Sequence, residues 1–166
     1  MAKNASMDIE SEVDFHEFEN AVNQAVKEAS SRYDFKGSIV KIDFNKTDSF
    51  VKLIAENEMK LSALESILRA KLHKRGVDSR CLKDEKIENS SLKEVRQRFL
   101  IRSGLEKDDA KKIVKIIKQE NSKLQASIQD SKLKVIGKTR DDLQDCIRFL
   151  KEKQTDVPLQ FTNFKS

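Results

Sequence analysis

The sequence predicts an α+β protein built from two tandem ferredoxin-like (RNP-like) domains, each β-α-β-β-α with a further strand where one is available. Three observations carry this. Apolar residues switch repeatedly between a period of two and a period near 3.6. The order of those switches before residues 78–91 is repeated after them. The four glycines, at 37, 76, 104 and 137, fall where periodic segments begin or end. Domains of this kind have antiparallel sheets, with helices on one face and the other face open.

The first half opens on "MDIESEVD" (7–14), where Met7, Ile9, Ser11 and Val13 alternate with acids, as in a half-buried strand. Phe15, Phe18, Val22, Ala25, Val26 and Ala29 then recur at helical spacing, and Asp14 with Glu17 has the form of a capping box. "SIVKIDF" (38–44) and "SFVKLIA" (49–55) alternate and are joined by a turn at Asn45–Asp48. Leu61, Leu64, Ile67, Leu68 and Leu72 mark a second helix. It ends at Gly76 after His73-Lys74-Arg75, a basic last turn that suits the helix dipole.

The second half repeats this order. "EVRQRFLI" (94–101) is a strand, and Ala110, Ile113, Val114 and Ile117 form a helix face. "KLQASIQ" (123–129) and "LKVIGK" (133–138) are strands joined at Asp130-Ser131. Leu143, Cys146, Ile147 and Leu150 mark the last helix, and "PLQFTNF" (158–164) is a closing strand. The least periodic stretch, 78–91, reads as a linker. The expected domains are therefore 1–90, with 78–91 as its linker-like end, and 91–166. The strand that closes the first domain is left open between 79–91 and the C-terminal run 158–165.

Composition narrows the function. No run of 18 apolar residues is present, so no membrane span is expected, and "MAKNASMDIE" is not a secretory signal. Cys81 and Cys146 have no metal or redox spacing and read as reduced thiols in a cytoplasmic protein, with Cys146 buried on an apolar helix face. Residues 1–90 hold 15 Lys/Arg and 17 Asp/Glu, whereas 91–166 hold 18 and 11, so a polyanion is expected to prefer the second half. An enzyme is disfavoured. His16 and His73 lie far apart without flanking ligands, no nucleophile motif occurs, and the acidic pairs 108–109 and 141–142 sit at helix starts, where the dipole explains them. No cofactor or metal is expected.

Gly137-Lys138-Thr139 resembles the end of a P-loop, but position 132 is lysine where the motif needs glycine. Thr139 with Asp142 instead fits a helix cap. A weaker anion site remains conceivable at that helix start, flanked by Lys138 and Arg140. Strand parity gives a stronger candidate. Even positions of 95–102 and 133–138 point away from the helices. In ferredoxin-like order these strands are central neighbours, which gathers Arg96, Arg98, Arg102, Lys134 and Lys138 on the open face, with Gln125 and Gln129 beside them. The first-domain face is expected to show Asp8, Glu10 and Glu12 with Phe50, Lys52, Ile54 and Glu56. The competing reading is that acidic and basic faces simply neutralise each other. In "SRYDFKG" (31–37), Arg32 and Lys36 are candidate phosphate clamps around Tyr33. The structural alternative makes Phe35 a core anchor and Arg32–Asp34 a local ion pair. The lysine stripe 107, 111, 115 and 118 reads as solvated.

"SRYDFKG" (31–37), "ILRAKLHKRGVD" (67–78), "AKKIVKIIK" (110–118), "GKTRDDLQ" (137–144) and "PLQFTNFK" (158–165) resemble, in order and over nearly the whole chain, the signature segments of the bacterial YajQ family. The resemblance implies tandem RNP-like domains and a nucleotide-binding protein with no established reaction; some members are described as binding cyclic di-guanylate. The expected partners are thus a nucleotide or cyclic dinucleotide, with RNA or a protein docked on the exposed sheets as alternatives. Tyr33, Lys36, Thr162 and Lys165 stand where the family usually has Phe, Arg, Asn and Arg. Both cations are kept as lysine, without the guanidinium fork.

Overall fold

The computed structural model describes residues 4–90, 93–153 and 155–165. It is α+β, with two four-stranded antiparallel sheets. The elements are β1 (Ala5–Glu10), α1 (Phe15–Ser31), β2 (Val40–Asn45), β3 (Phe50–Ala55), α2 (Glu58–Lys74), β4 (Leu82–Ser90), β5 (Glu94–Ile101), α3 (Lys107–Glu120), β6 (Gln125–Gln129), β7 (Lys132–Gly137), α4 (Arg140–Lys153) and β8 (Gln160–Lys165). Short 3₁₀ turns at Tyr33–Phe35 and Ser79–Cys81 link α1 to β2 and α2 to β4.

The local expectations for helices hold for local reasons. Asp14 caps α1 by accepting from the His16 and Glu17 amides at 3.1 Å each. The Glu17 side chain does not return the bond; it accepts from Asn20 instead. Phe18, Ala21, Val22, Ala25 and Ala29 form the buried stripe of α1, whereas Val26, at the flank of that stripe, is 44% exposed. At the end of α2 the Val77 amide donates to Leu72 C=O at 2.9 Å and the Gly76 amide to His73 C=O at 3.0 Å. That is a Schellman stop, and it needs the φ of +77° that Gly76 supplies. Thr139 and Asp142 cap α4 reciprocally, at 3.1 and 3.3 Å.

The sheets depart from the simple tandem. One runs β6-β7-β1-β8 and the other β2-β3-β5-β4. The chain divides into a unit made of residues 1–12 with 103–166 and a unit made of 13–102. The division into 1–90 and 91–166 is therefore corrected, and position 91 itself lies outside the described residues. The first strand of each repeat has been exchanged. β1 takes the central place beside β7, and β5 takes the central place beside β3. β8 pairs with β1, so the C-terminal strand closes the second helix pair's sheet rather than the first. The supposed linker is β4, a nine-residue strand that pairs with β5. Its charged residues disguise it because it is an edge strand, where charge protects against further pairing.

Each unit has its own core. In 13–102, α1 and α2 cover Val51, Leu53, Ala55, Val95, Phe99 and Ile101. In the other unit, α3 and α4 cover Met7, Ile9, Leu133 and Val135. Both cysteines are buried, and desolvation pushes each thiol up to about 11. No helix among the described residues is long and apolar enough to cross a membrane.

Candidate functional site: the open sheet face of residues 13–102

In β3 and β5 the odd and even positions are sorted by the helices. Val51, Leu53, Val95 and Phe99 point into the core; Phe50, Lys52, Ile54, Arg96, Arg98 and Leu100 occupy the other face. Antiparallel register sets Phe50 opposite Leu100, Lys52 opposite Arg98, and Ile54 opposite Arg96. Directly opposed residues share a face and lie within about 4.5–5.5 Å at Cβ. The strand exchange has therefore placed the arginines of β5 beside the aromatic and the lysine of β3. The Arg98 guanidinium lies 5.2 Å from the centre of the Phe50 ring, within cation–π range.

β4 supplies the carboxylates. Asp84 opposes Phe99 and Ile87 opposes Gln97, so two residues, Glu85 and Lys86, stand against Arg98 alone. This bulge re-aims the strand. Gln97 Nε2 donates to Glu85 C=O at 2.9 Å, and the Glu85 carboxylate accepts from Arg98 Nε in a short ion pair. That bond holds the Glu85 carboxyl below the usual carboxylate range and the Arg98 guanidinium above its ordinary value. Arg96 Nη2 pairs with Glu94 at 2.5 Å, while its buried Nε has no hydrogen-bond partner among the described residues. Glu88 opposes Arg96 in the register. Among the described residues Lys52 has no carboxylate within ion-pair distance. Lys52, Glu85, Lys86, Glu88, Arg96 and Arg98 line a cavity of about 390 Å³.

The expected basic cluster is thereby split. Arg96 and Arg98 belong to the β2-β3-β5-β4 sheet, whereas Lys134 lies on β7 in the other. Arg102 follows β5 and donates through Nη2 to Arg80 C=O at 2.5 Å, towards the start of β4. Lys138 and Arg140 are exposed beside the α4 cap, whose first turn Asp142 already occupies. Arg32 forms a two-bond pair with Asp34, at 2.8 and 3.0 Å, and covers the buried Phe35 ring at 5.1 Å. That is the structural alternative for "SRYDFKG". Lys36 is exposed, and Tyr33 is 88% exposed on the same turn.

Lys134 finds acid where arginine was expected. Asp8 lies opposite it on β1, and Lys132 Nζ meets Glu10 at 3.0 Å. The acidic strand and the basic strand thus neutralise each other within one sheet. Counted by folded unit, 13–102 holds 18 Lys/Arg and 15 Asp/Glu, and the remainder 15 and 13. The charge asymmetry of the sequence halves disappears. The sequence pattern sets Phe50 and Lys52 on an acidic face, whereas the structure sets them beside Arg96 and Arg98. Only the non-local pairing of β3 with β5 reveals them. No group of three or more metal-ligating side chains occurs among the described residues.

Known proteins match this chain along nearly its whole length. The family model described as "Nucleotide-binding protein YajQ-like" matches residues 5–165. A "Nucleotide-binding protein" of Trichlorobacter lovleyi is 44% identical over 160 residues, covering 96% of this chain and 98% of its own. One from Carboxydothermus hydrogenoformans is 46% identical, covering 99% of this chain and all of its own. "Nucleotide-binding protein Bd0338" of Bdellovibrio bacteriovorus is 42% identical, covering 97% and 99%. Matched from one end to the other, the chain belongs to the YajQ-like family.

Proposed function

We propose that the protein binds a nucleotide without turning it over, on the open face built by Phe50, Lys52, Arg96 and Arg98. One observation carries this reading: the β3–β5 register puts an aromatic ring, two arginines and a lysine with no ion partner among the described residues on the sheet face turned away from α1 and α2. Each part matches a part of a nucleotide. Phe50 offers a platform for a base, worth about 1–3 kcal/mol if the base stacks fully. Lys52 and Arg98 offer charge to phosphate, and the Arg98 fork can hold two phosphate oxygens. The names of the relatives support the word nucleotide; charge and geometry favour this face for it.

A single aromatic on this face of the central strands, with Phe99 in the core, favours a small ligand over an extended RNA strand, which stacks several bases in sheets of this kind. Within the small ligands, cyclic di-guanylate is the specific candidate. It presents two phosphates to Lys52 and Arg98, and a base to Phe50 once the Arg98 guanidinium leaves the ring.

Calorimetric titration with cyclic di-guanylate and with GMP, each at two salt concentrations, tests the reading. Lys52→Glu with Arg98→Glu should weaken binding by about tenfold or more, equivalent to at least about 1.4 kcal/mol. It should also reduce the salt dependence. Unchanged affinity in that variant would overturn the site.

A further inference from the structure

A second concentration of charge lies on the opposite, helix-covered side of the 13–102 unit. Gln24, Lys27, Glu28 and Ser31 recur at i, i+3, i+4 and i+7 along α1, and Lys71, Lys74 and Arg75 face them from α2. Between them is an open groove of about 630 Å³. We propose that this groove is a separate anion site that takes a short chain of condensed phosphates, of the kind found in inorganic tripolyphosphate, whether or not a base is attached.

Two of its cations serve the fold. Lys71 Nζ meets Glu28 at 3.1 Å and Arg75 Nη1 meets Glu17 at 3.5 Å, so each ties α2 to α1. The other two are surplus to it. Lys27 and Lys74 are exposed, and among the described residues neither has a carboxylate within ion-pair distance. Nor are they needed to satisfy the helix ends. The Ser30 hydroxyl donates to Lys27 C=O and the Ser31 hydroxyl to Glu28 C=O, both at 2.9 Å. The carbonyls at the end of α2 are taken by the Arg75, Gly76 and Val77 amides. Four cations against one carboxylate in the lining leave a net positive groove.

The chemistry of the lining selects the anion. It contains no aromatic side chain, so a base gains nothing by stacking there. Recognition rests on charge, and the cations crowd into about one turn of each helix. A nucleic-acid strand brings one charge per nucleotide, but condensed phosphates bring at least one per phosphorus and meet all four cations at once. The sheet separates this groove from the Phe50 face, so one small nucleotide does not reach both. The inference does not rest on the sheet-face reading.

Titration of the full chain with sodium tripolyphosphate is the test, read by calorimetry and by thermal melting. The wild type should bind, and its melting temperature should rise with ligand. Lys27→Ala with Lys74→Ala should weaken tripolyphosphate binding by about tenfold or more, leaving the affinity for cyclic di-guanylate unchanged. A charge-matched control on α3, Lys107→Ala with Lys111→Ala, should bind tripolyphosphate as the wild type does. Absence of binding by the wild type overturns the proposal, and so does an equal loss in both variants, which would mean net charge alone. If an RNA oligonucleotide loses affinity in the Lys27/Lys74 variant and tripolyphosphate never binds, the groove belongs to nucleic acid and the proposal is likewise overturned. None of these outcomes alters the result for Lys52 and Arg98.

Discussion

Glu85 occupies the Arg98 guanidinium that the proposed site offers to phosphate. A ligand therefore exchanges one anion for another, and part of the Coulomb gain is spent on releasing Glu85. Glu85→Gln should tighten nucleotide binding by a few-fold, measured by the same calorimetry. The carboxyls of Asp34, Glu56, Asp78 and Glu85 all lie below their ordinary range, each held there chiefly by a hydrogen bond from a neighbouring cation. For a lowered folded pKa the stabilisation is present above the unfolded value and is lost as pH falls through the folded one. Denaturant melts taken at successive pH values should show stability declining from the normal carboxylate range downwards. Asp78→Asn should make that decline shallower. At this scale the sequence was readable wherever the interaction was local. The Thr139–Asp142 cap, the buried Cys146 thiol and, as the alternative to phosphate clamping, the Arg32–Asp34 pair with the Phe35 anchor were all expected from residues a few positions apart. The Glu85–Arg98 pair was not, because it depends on a bulge whose register no short window contains.

Among the elements, the helices were legible nearly to their ends because caps and apolar stripes are written into contiguous sequence. Gly76→Ala should destabilise the protein by about 1 kcal/mol, since the Schellman stop holds that residue at φ +77°. Thr139→Ala should cost about 1 kcal/mol by uncapping α4. Chemical denaturation with far-UV detection measures both. β4 was the element left undecided between a linker and the closing strand of the first half. "LKDEKIENS" has few apolar residues to alternate, and its pairing is with β5 across a bulge. Its strand character comes from the neighbour it joins and not from its own pattern. Once β4 is seen, the face changes meaning, because the acids that temper Arg96 and Arg98 lie on β4 and at the start of β5, not on β1.

At the scale of the whole chain, the repeat was legible and its connectivity was not. Two similar βαββα segments offer their first strands equivalent central places, and periodicity does not tell which sheet each will enter. The observed exchange makes a direct prediction about fragments. Residues 13–102 contain β2, β3, β4 and β5 and should fold alone, with dispersed amide signals and a cooperative melt. Residues 1–90 lack β5, which sits between β3 and β4, and should not. A cooperative fold in the 1–90 fragment would refute this assignment of units.

The same connectivity sets a timetable for a chain made from its N-terminus. β1 emerges first, yet its partners β7 and β8 lie at 132–137 and 160–165. At typical synthesis rates it stays unmatched for on the order of ten seconds. Meanwhile the intervening residues 13–102 have everything required to mature. The alternation of charge with Met7 and Ile9 keeps this waiting segment soluble, so the acids of β1 guard the nascent chain before they ever meet a lysine.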